Sequence, residues 1–589
     1  MQQKIVKSWF NNFINKSKSN KNNNNEVKIE HSKLYNRLPR LFRNLTFRTN
    51  QEYQYFREML ELAKKNGDDI FIESLKTTYF LLKVYSNHPV TFIDIHALFG
   101  VNFTTLILGH NNIYGDYTDP LLLECKEFKF PNTVRTLVIG NAFNLKLEIG
   151  MIPDSVTDLT ILYGFAYEGF DWSKVMPRTL VSVTLPSYCR YSFKVGDLNH
   201  GLETLNLGVH HLQFHIVNGL FPSTLKYLKI GSGFDGVIDN DAFPMGLETL
   251  ILHGFAKGCE IPQIPRSVKH VSYLNTNFAR VSASLFSINL ESLSMGELKS
   301  NLIEPNWLHN RLKKIELTHF NSAIVEGLFP DTVEELNIKS FNRQIEPHSL
   351  PKNLKILILS EFNHSILFGS FPEGLETLVM DSKFNQKIQK GHLPSTLKSL
   401  QLCGSLRDHQ IELGSLPESL ESLNINLYSY IENGLILPCK KLQSLEITGT
   451  NYKIPILENQ LPKSLKVLKI PYLCYETLQS GVLEGLERIE VVYGIFLQTL
   501  LEYDFDPRCI PSTVHYLNTG ARFNAVFLPD YQLPSALRTL VLVNQYSQQI
   551  PRNLLPTTLR KIFVPNTGIL KDCIIPPFCS IINTRSLVI

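Results

Sequence analysis

No stretch of this 589-residue chain approaches the ~18 consecutive apolar residues that cross a bilayer. The apolar residues near the N-terminus are interleaved with Lys and Asn, so no cleavable secretory signal is expected. On that reading the sequons at Asn44, Asn102 and Asn363 are chance matches. The nine cysteines (Cys125, Cys189, Cys259, Cys403, Cys439, Cys474, Cys509, Cys573 and Cys579) form no Cys-x-x-Cys pair, and their number is odd. That pattern argues against a disulfide framework or a zinc site and for reduced thiols in a cytoplasmic protein. There is no P-loop, no HExxH, no GxSxG and no GxGxxG on a strand-to-helix turn. His210 and His211 are adjacent but have no Cys, Asp or Glu cluster at ligand spacing. We therefore expect no enzyme, metal or cofactor.

Charge is sparse as well, at 19% of residues with a net of +4. Residues 1–40 hold nine Lys/Arg against two Glu, about +7, which leaves about −3 for the rest. A nucleic-acid groove needs a basic stripe, and the main body has none. The hydrophobic content of 43% is ordinary for a folded protein.

What the chain has in abundance is one repeated pattern, LPxxLxxLxL. Prolines from Pro131 to Pro556 head most copies, among them Pro222, Pro330, Pro351, Pro372, Pro394 and Pro417. Proline-less copies follow Gly201, Asn289, Arg311 and Gly485, which makes about 20 copies, nearly all 21–24 residues apart. Leu354, Leu357 and Leu359 fall at offsets 0, 3 and 5, as do Leu225, Leu228 and Ile230. The last two of each set lie two apart, so they share one face of a short strand. Proline lacks the N–H that a ladder needs and belongs in the turn before the strand. One strand and one return segment per ~22 residues make one coil of a solenoid, whose leucines are buried only by stacking. The return segment carries FNxxI at Phe320-Asn321, Phe341-Asn342, Phe362-Asn363 and Phe384-Asn385, and more distantly at Phe143-Asn144 and Phe523-Asn524. The Phe is expected to fill the interior beneath the strand. The Asn is expected to bond backbone groups at the bend.

The segments FPDTVEELNIKSFNRQI (from Phe329) and LPKNLKILILSEFNHSI (from Leu350) resemble the FNIP repeat, named for Phe-Asn-Ile-Pro and related in pattern to leucine-rich repeats. The likeness spans about residues 100–575 and is sharpest from Pro330 to Pro417. The Ile-Pro half is weaker, with Phe or Leu usually standing before the proline. The resemblance implies a leucine-rich-repeat-like interaction scaffold and carries no catalytic residues. Some members of that family hold an F-box ahead of the repeats, as an adaptor of a ubiquitin ligase would. LYNRLPRLFRNL, from Leu34, has a faint beginning of that kind.

Between the buried leucines, two strand positions per coil face outward on the concave side. They are Thr136, Asp158, Thr160, Ser182, Thr184, Thr204 and Asn206 in the early copies. Tyr227, Lys229, Lys314, Glu316, Glu335 and Asn337 follow, then Gln401, Asn424, Glu446, Lys469, Glu490 and Asn518. The middle six are the candidate partner-binding residues, although aromatic anchors are few. The spacing also lengthens to 28 residues between Leu483 and Pro511, where Tyr493, Phe496, Leu500 and Tyr503 have helical spacing and suggest a short packed helix.

At the N-terminus, Ile5, Val6, Trp9, Phe10, Phe13 and Ile14 share one helical face, with Lys4, Lys7 and Lys18 largely opposite. Residues 1–18 read as a basic amphipathic helix. Trp9, Phe10 and Phe13 would contact either a membrane surface or the exposed end of the solenoid. Residues 19–31 read as an Asn/Lys-rich linker. Residues 32–99 read as a helical cap or adaptor domain, with one helix over about 50–67 and a second over about 71–88. Together these expectations describe a mainly β protein. It is a right-handed, leucine-rich-repeat-like parallel β-solenoid over 100–575, with a small helical N-terminal cap and a C-terminal cap over 576–589. The expected function is non-catalytic protein–protein interaction. A ubiquitin-ligase adaptor and a membrane-surface scaffold are the alternatives.

Overall fold

The structure, a computed structural model, describes residues 44–47, 80–84 and 103–108 and, with short interruptions, 129–584. The chain forms two compact units, residues 2–297 and 298–589. Each unit is a parallel β-solenoid.

In the first unit, strands begin at Asn44, Phe80, Phe103, Thr136, Asp158, Ser182, Thr204, Tyr227, Thr249, His270 and Ser292, and each pairs in parallel with the next. In the second unit they begin at Lys314, Glu335, Ile356, Thr377, Ser399, Ser422, Ser444, Val467, Arg488, Tyr516, Thr539, Lys561 and Ser580, again paired in order. Register holds residue for residue across most pairs, with single shifts after Phe80, Tyr273, Leu402 and Ile470. Leu336, Leu357, Leu378 and Leu400 are successive partners, as are Ile338, Leu359, Met380 and Leu402. A one-residue slip would turn every leucine to solvent, so the L-x-L pattern itself fixes the register.

Ten of the described strands are four residues long with strict in–out alternation, Thr204–Leu207, Glu335–Ile338 and Ile356–Leu359 among them. The turn before the strand is closed by the proline carbonyl. Leu225, Val333, Leu354 and Leu375 donate their N–H to Pro222, Pro330, Pro351 and Pro372 at 3.0–3.2 Å. Proline therefore keeps its one backbone acceptor in use and is spared the donor it lacks. The leucines at the head and inside of each strand are fully buried, Leu354, Leu357 and Leu359 among them.

Four sequence expectations need correction. Residues 80–84 lie inside the second helix expected over 71–88, yet they form a strand, Phe80–Val84, paired with Asn44–Phe47 on one side and Phe103–Leu108 on the other. The sheet thus begins well before residue 100. The apolar run FLLKV serves a strand as well as a helix turn, and stacking on a neighbouring coil decides between them. The sheet also runs past 575, because Ser580–Asn583 pairs with Lys561–Val564 inside the stretch expected to be a cap. Tyr493 lies in the strand Arg488–Gly494 rather than in a helix. Further along the long interval, Asp504–Phe505 forms a second small sheet with Val526–Phe527. The amphipathic segment 1–18, with Trp9, Phe10 and Phe13, and the linker 19–31 lie outside the described residues, as does most of 32–99. Among the described residues the one α-helix is Trp172–Val175, N-capped by the Asp171 carboxylate accepting from the Ser173 N–H at 3.1 Å.

Candidate partner-binding surface

The second unit shows how each coil is built. Phe320, Phe341, Phe362 and Phe384 are each at most 1% exposed. Their rings stack in a column at centroid distances of 6.2, 6.2 and 6.1 Å, within 9° of parallel. Beside them runs a ladder of amides. The Oδ1 of Asn321 accepts the N–H of Asn342 at 2.9 Å, that of Asn342 accepts the N–H of Asn363, and that of Asn363 accepts the N–H of Asn385, the last two at 3.0 Å. Each Asn thereby satisfies a bend N–H of the following coil that no sheet partner could reach. A second copy follows near the C-terminus, where Phe523 stacks on Tyr546 at 5.6 Å and Asn524 accepts the Ser547 N–H at 2.8 Å.

A family model for the FNIP repeat matches residues 126–163, 320–362, 341–383, 362–405 and 384–428. The chain carries FNIP repeats. Among solved structures it is similar to CroV588, described as a novel circular LRR protein, at 21% identity over 87% of this chain and 89% of that one, with a TM-score of 0.47. A comparison with curated proteins gives no match.

The coils present their variable residues on the strand face. Tyr227 and Lys229 lie on Tyr227–Ile230, opposite Thr204 and Asn206 on one side and Thr249 and Ile251 on the other. Burial raises the phenol pKa of Tyr227. The remaining candidates, Lys314, Glu316, Glu335 and Asn337, belong to the second unit. Lys314 pairs with Glu335 at 2.6 Å and Glu316 with Lys339 at 2.8 Å. Asn337 keeps its Oδ1 buried without a hydrogen-bond partner, and Asn424 does the same. Along the same face Lys469 reaches Glu446 at 3.5 Å, and Arg488 bonds Glu490 at 3.0 Å while lying 3.8 Å over the Tyr516 ring.

A second column was legible in the sequence only when the repeats are aligned and read downward. The residue leading into each strand runs Glu203, Lys226, Glu248, Lys269, Glu291, Lys313, Glu334, Lys355, Glu376, Lys398, Glu421, with the sign alternating at every step. In the first unit Lys226 bonds Glu203 at 3.0 Å and Lys269 bonds Glu248 at 3.4 Å. In the second, Lys355 bonds Glu334 at 2.6 Å and Lys398 bonds Glu376 at 3.0 Å. The hydrogen bond from Lys355 lowers the carboxyl pKa of Glu334 and raises the pKa of the lysine in return. These pairs sit at the surface, where each is worth little alone. Their alternation instead penalises any shift of one coil past another by placing like charges side by side.

Among the described residues no group of three His, Cys, Asp or Glu could hold a metal ion, and no helix is long and apolar enough to cross a membrane. Cys403, Cys439, Cys573 and Cys579 are free thiols, and burial raises the pKa of Cys439 and of Cys573 to about 11. Thiols held protonated in this way are poor nucleophiles. His210 and His211 lie outside the described residues.

Proposed function

We propose that the chain is a non-catalytic scaffold, working in the cytoplasm, that binds a protein partner along the strand face of its FNIP coils. The observation behind this reading is the division of labour within each strand. Two side chains are locked into an interior of leucine, isoleucine and stacked phenylalanine. The two between them stay half-exposed on a rigid sheet and differ from coil to coil, as in Thr204 and Asn206, Tyr227 and Lys229, and Glu335 and Asn337. A preordered face binds without first losing conformational freedom. Affinity capture from native cells tests the idea, comparing the full chain with Tyr227→Ala/Lys229→Ala and with Lys352→Ala at a turn. Loss of one partner in the strand-face variant alone supports the reading, and equal capture by all three refutes it. The ubiquitin-ligase adaptor and the membrane scaffold both rest on residues outside the described ones. In the same experiment the first requires ligase subunits among the captured proteins. The second requires membrane association that Trp9→Glu/Phe13→Glu abolishes.

A further inference from the structure

The charge alternation of the lead-in column fails at the C-terminal coils. Lys466 still bonds Glu487 at 3.0 Å, and His515 approaches the same carboxylate at 3.6 Å. The next two positions are Arg538 and Arg560. Their backbones are neighbours, because the Arg538 N–H donates to the His515 carbonyl and the Arg560 N–H to the Arg538 carbonyl, both at 2.8 Å. The two side chains thus leave adjacent coils ~4.8 Å apart. Lys561, exposed at the first position of its strand, adds a third cation. Among the described residues no carboxylate pairs with any of the three. The Arg560 guanidinium donates only to the carbonyls of Thr557 at 3.1 Å and Leu559 at 3.4 Å. Adjacent like charges on paired strands are destabilising, and the column avoids them from Glu203 to Glu421.

The last coil adds an apolar feature beside the cations. Phe578 is 80% exposed and adopts φ 69°, a left-handed conformation disfavoured for a bulky residue. It immediately precedes Cys579, whose N–H donates to the Pro576 carbonyl at 3.1 Å. The Ser580 N–H, next along, donates to the Arg560 carbonyl at 2.8 Å.

We infer that this end of the solenoid binds an acidic segment of a partner protein, with carboxylates across Arg538, Arg560 and Lys561 and an apolar side chain against Phe578. The inference rests on the protein-binding reading above and names the chemical class of partner. A nucleic acid fits less well. The cationic patch is confined to neighbouring coils and bordered by Glu487 and Glu490, whereas a phosphate backbone demands cations along its whole track.

The test uses the purified full chain and fluorescence anisotropy. The probe is a labelled peptide of glutamates flanking one leucine, compared with the same peptide carrying glutamine for glutamate. The glutamate peptide should bind at least about tenfold more tightly at ~50 mM salt and lose that advantage at ~500 mM. Arg538→Gln/Arg560→Gln should weaken binding about tenfold, and Phe578→Ala should weaken it several-fold. Lys355→Gln, which removes a paired cation elsewhere in the column, should change nothing. Equal binding of the two peptides overturns the inference without recourse to any variant, and so does wild-type binding by the double arginine variant. An oligothymidylate that binds the same arginines more tightly than the peptide overturns it in favour of nucleic acid. Partner capture that depends on Tyr227 and Lys229 while the glutamate peptide fails sinks this inference alone. Failed capture with intact peptide binding sinks the strand-face reading instead.

Discussion

The phenylalanine column allows the stacking of coils to be weighed directly. Phe341 and Phe362 are buried, 6.2 Å apart and 7° from parallel. Leucine at either position keeps most of the apolar volume, so each single substitution should cost ~1–2 kcal/mol. An aromatic pair contributes ~0.5–1.5 kcal/mol beyond the area it buries. In the double variant Phe341→Leu/Phe362→Leu that increment has already been lost once, so the two effects should fall short of additivity by the same amount. This corresponds to a factor of roughly 2 to 13 in the local opening equilibrium. Because solenoid coils depend chiefly on their neighbours, a single global unfolding free energy is a poor readout. Native-state hydrogen exchange by mass spectrometry, on peptides covering Glu335–Ile338 and Ile356–Leu359, reads the local opening instead. Phe320 and Phe384 occupy the same column but do not touch, so Phe320→Leu/Phe384→Leu should be additive. A coupling below ~0.3 kcal/mol for the touching pair, no larger than for the separated pair, would refute the argument and reduce the rings to filler.

His348 holds φ 61° at the turn position that Gly327, Gly369, Gly391 and Gly414 occupy in neighbouring coils. His348→Gly should therefore stabilise by ~0.5–1 kcal/mol, with relief of left-handed strain outweighing the added freedom of the unfolded chain, and a raised thermal midpoint would show it. Lys355→Glu would place three carboxylates in a row with Glu334 and Glu376. It should lower the thermal midpoint at ~50 mM salt and do much less near 1 M, where charges more than ~3 Å apart are screened; an equal loss at both salts would point to packing instead. Glu334, whose carboxyl pKa lies below its usual value, contributes stability above the ordinary carboxylate range, and this is lost as pH falls through the lowered value. His253 has its pKa lowered first by burial and then by the charge of Lys229. As pH falls past its usual value of 6.5 the unfolded chain takes up the proton first, so stability present above 6.5 should decline. Lys229→Gln should raise the His253 pKa in an NMR titration, and an unchanged value would refute the electrostatic cause.

The sequence by itself determined the coil. Leucines at offsets 0, 3 and 5 can share one buried side only as a short strand, and recurrence every 21–24 residues can bury them only by stacking. It also marked which residues of each strand lie outside. Three things were decided only in three dimensions. The strand at Phe80–Val84 follows from its neighbours, since FLLKV has no periodicity that separates strand from helix. The partners of the outward residues depend on register across coils, which turns Lys314 and Glu335 from two candidate contacts into one ion pair. The cationic patch at Arg538, Arg560 and Lys561 is made of residues ordinary in isolation. It emerges once backbone pairing sets like charges on adjacent coils, because electrostatic energy depends on distance in space and not on separation along the chain.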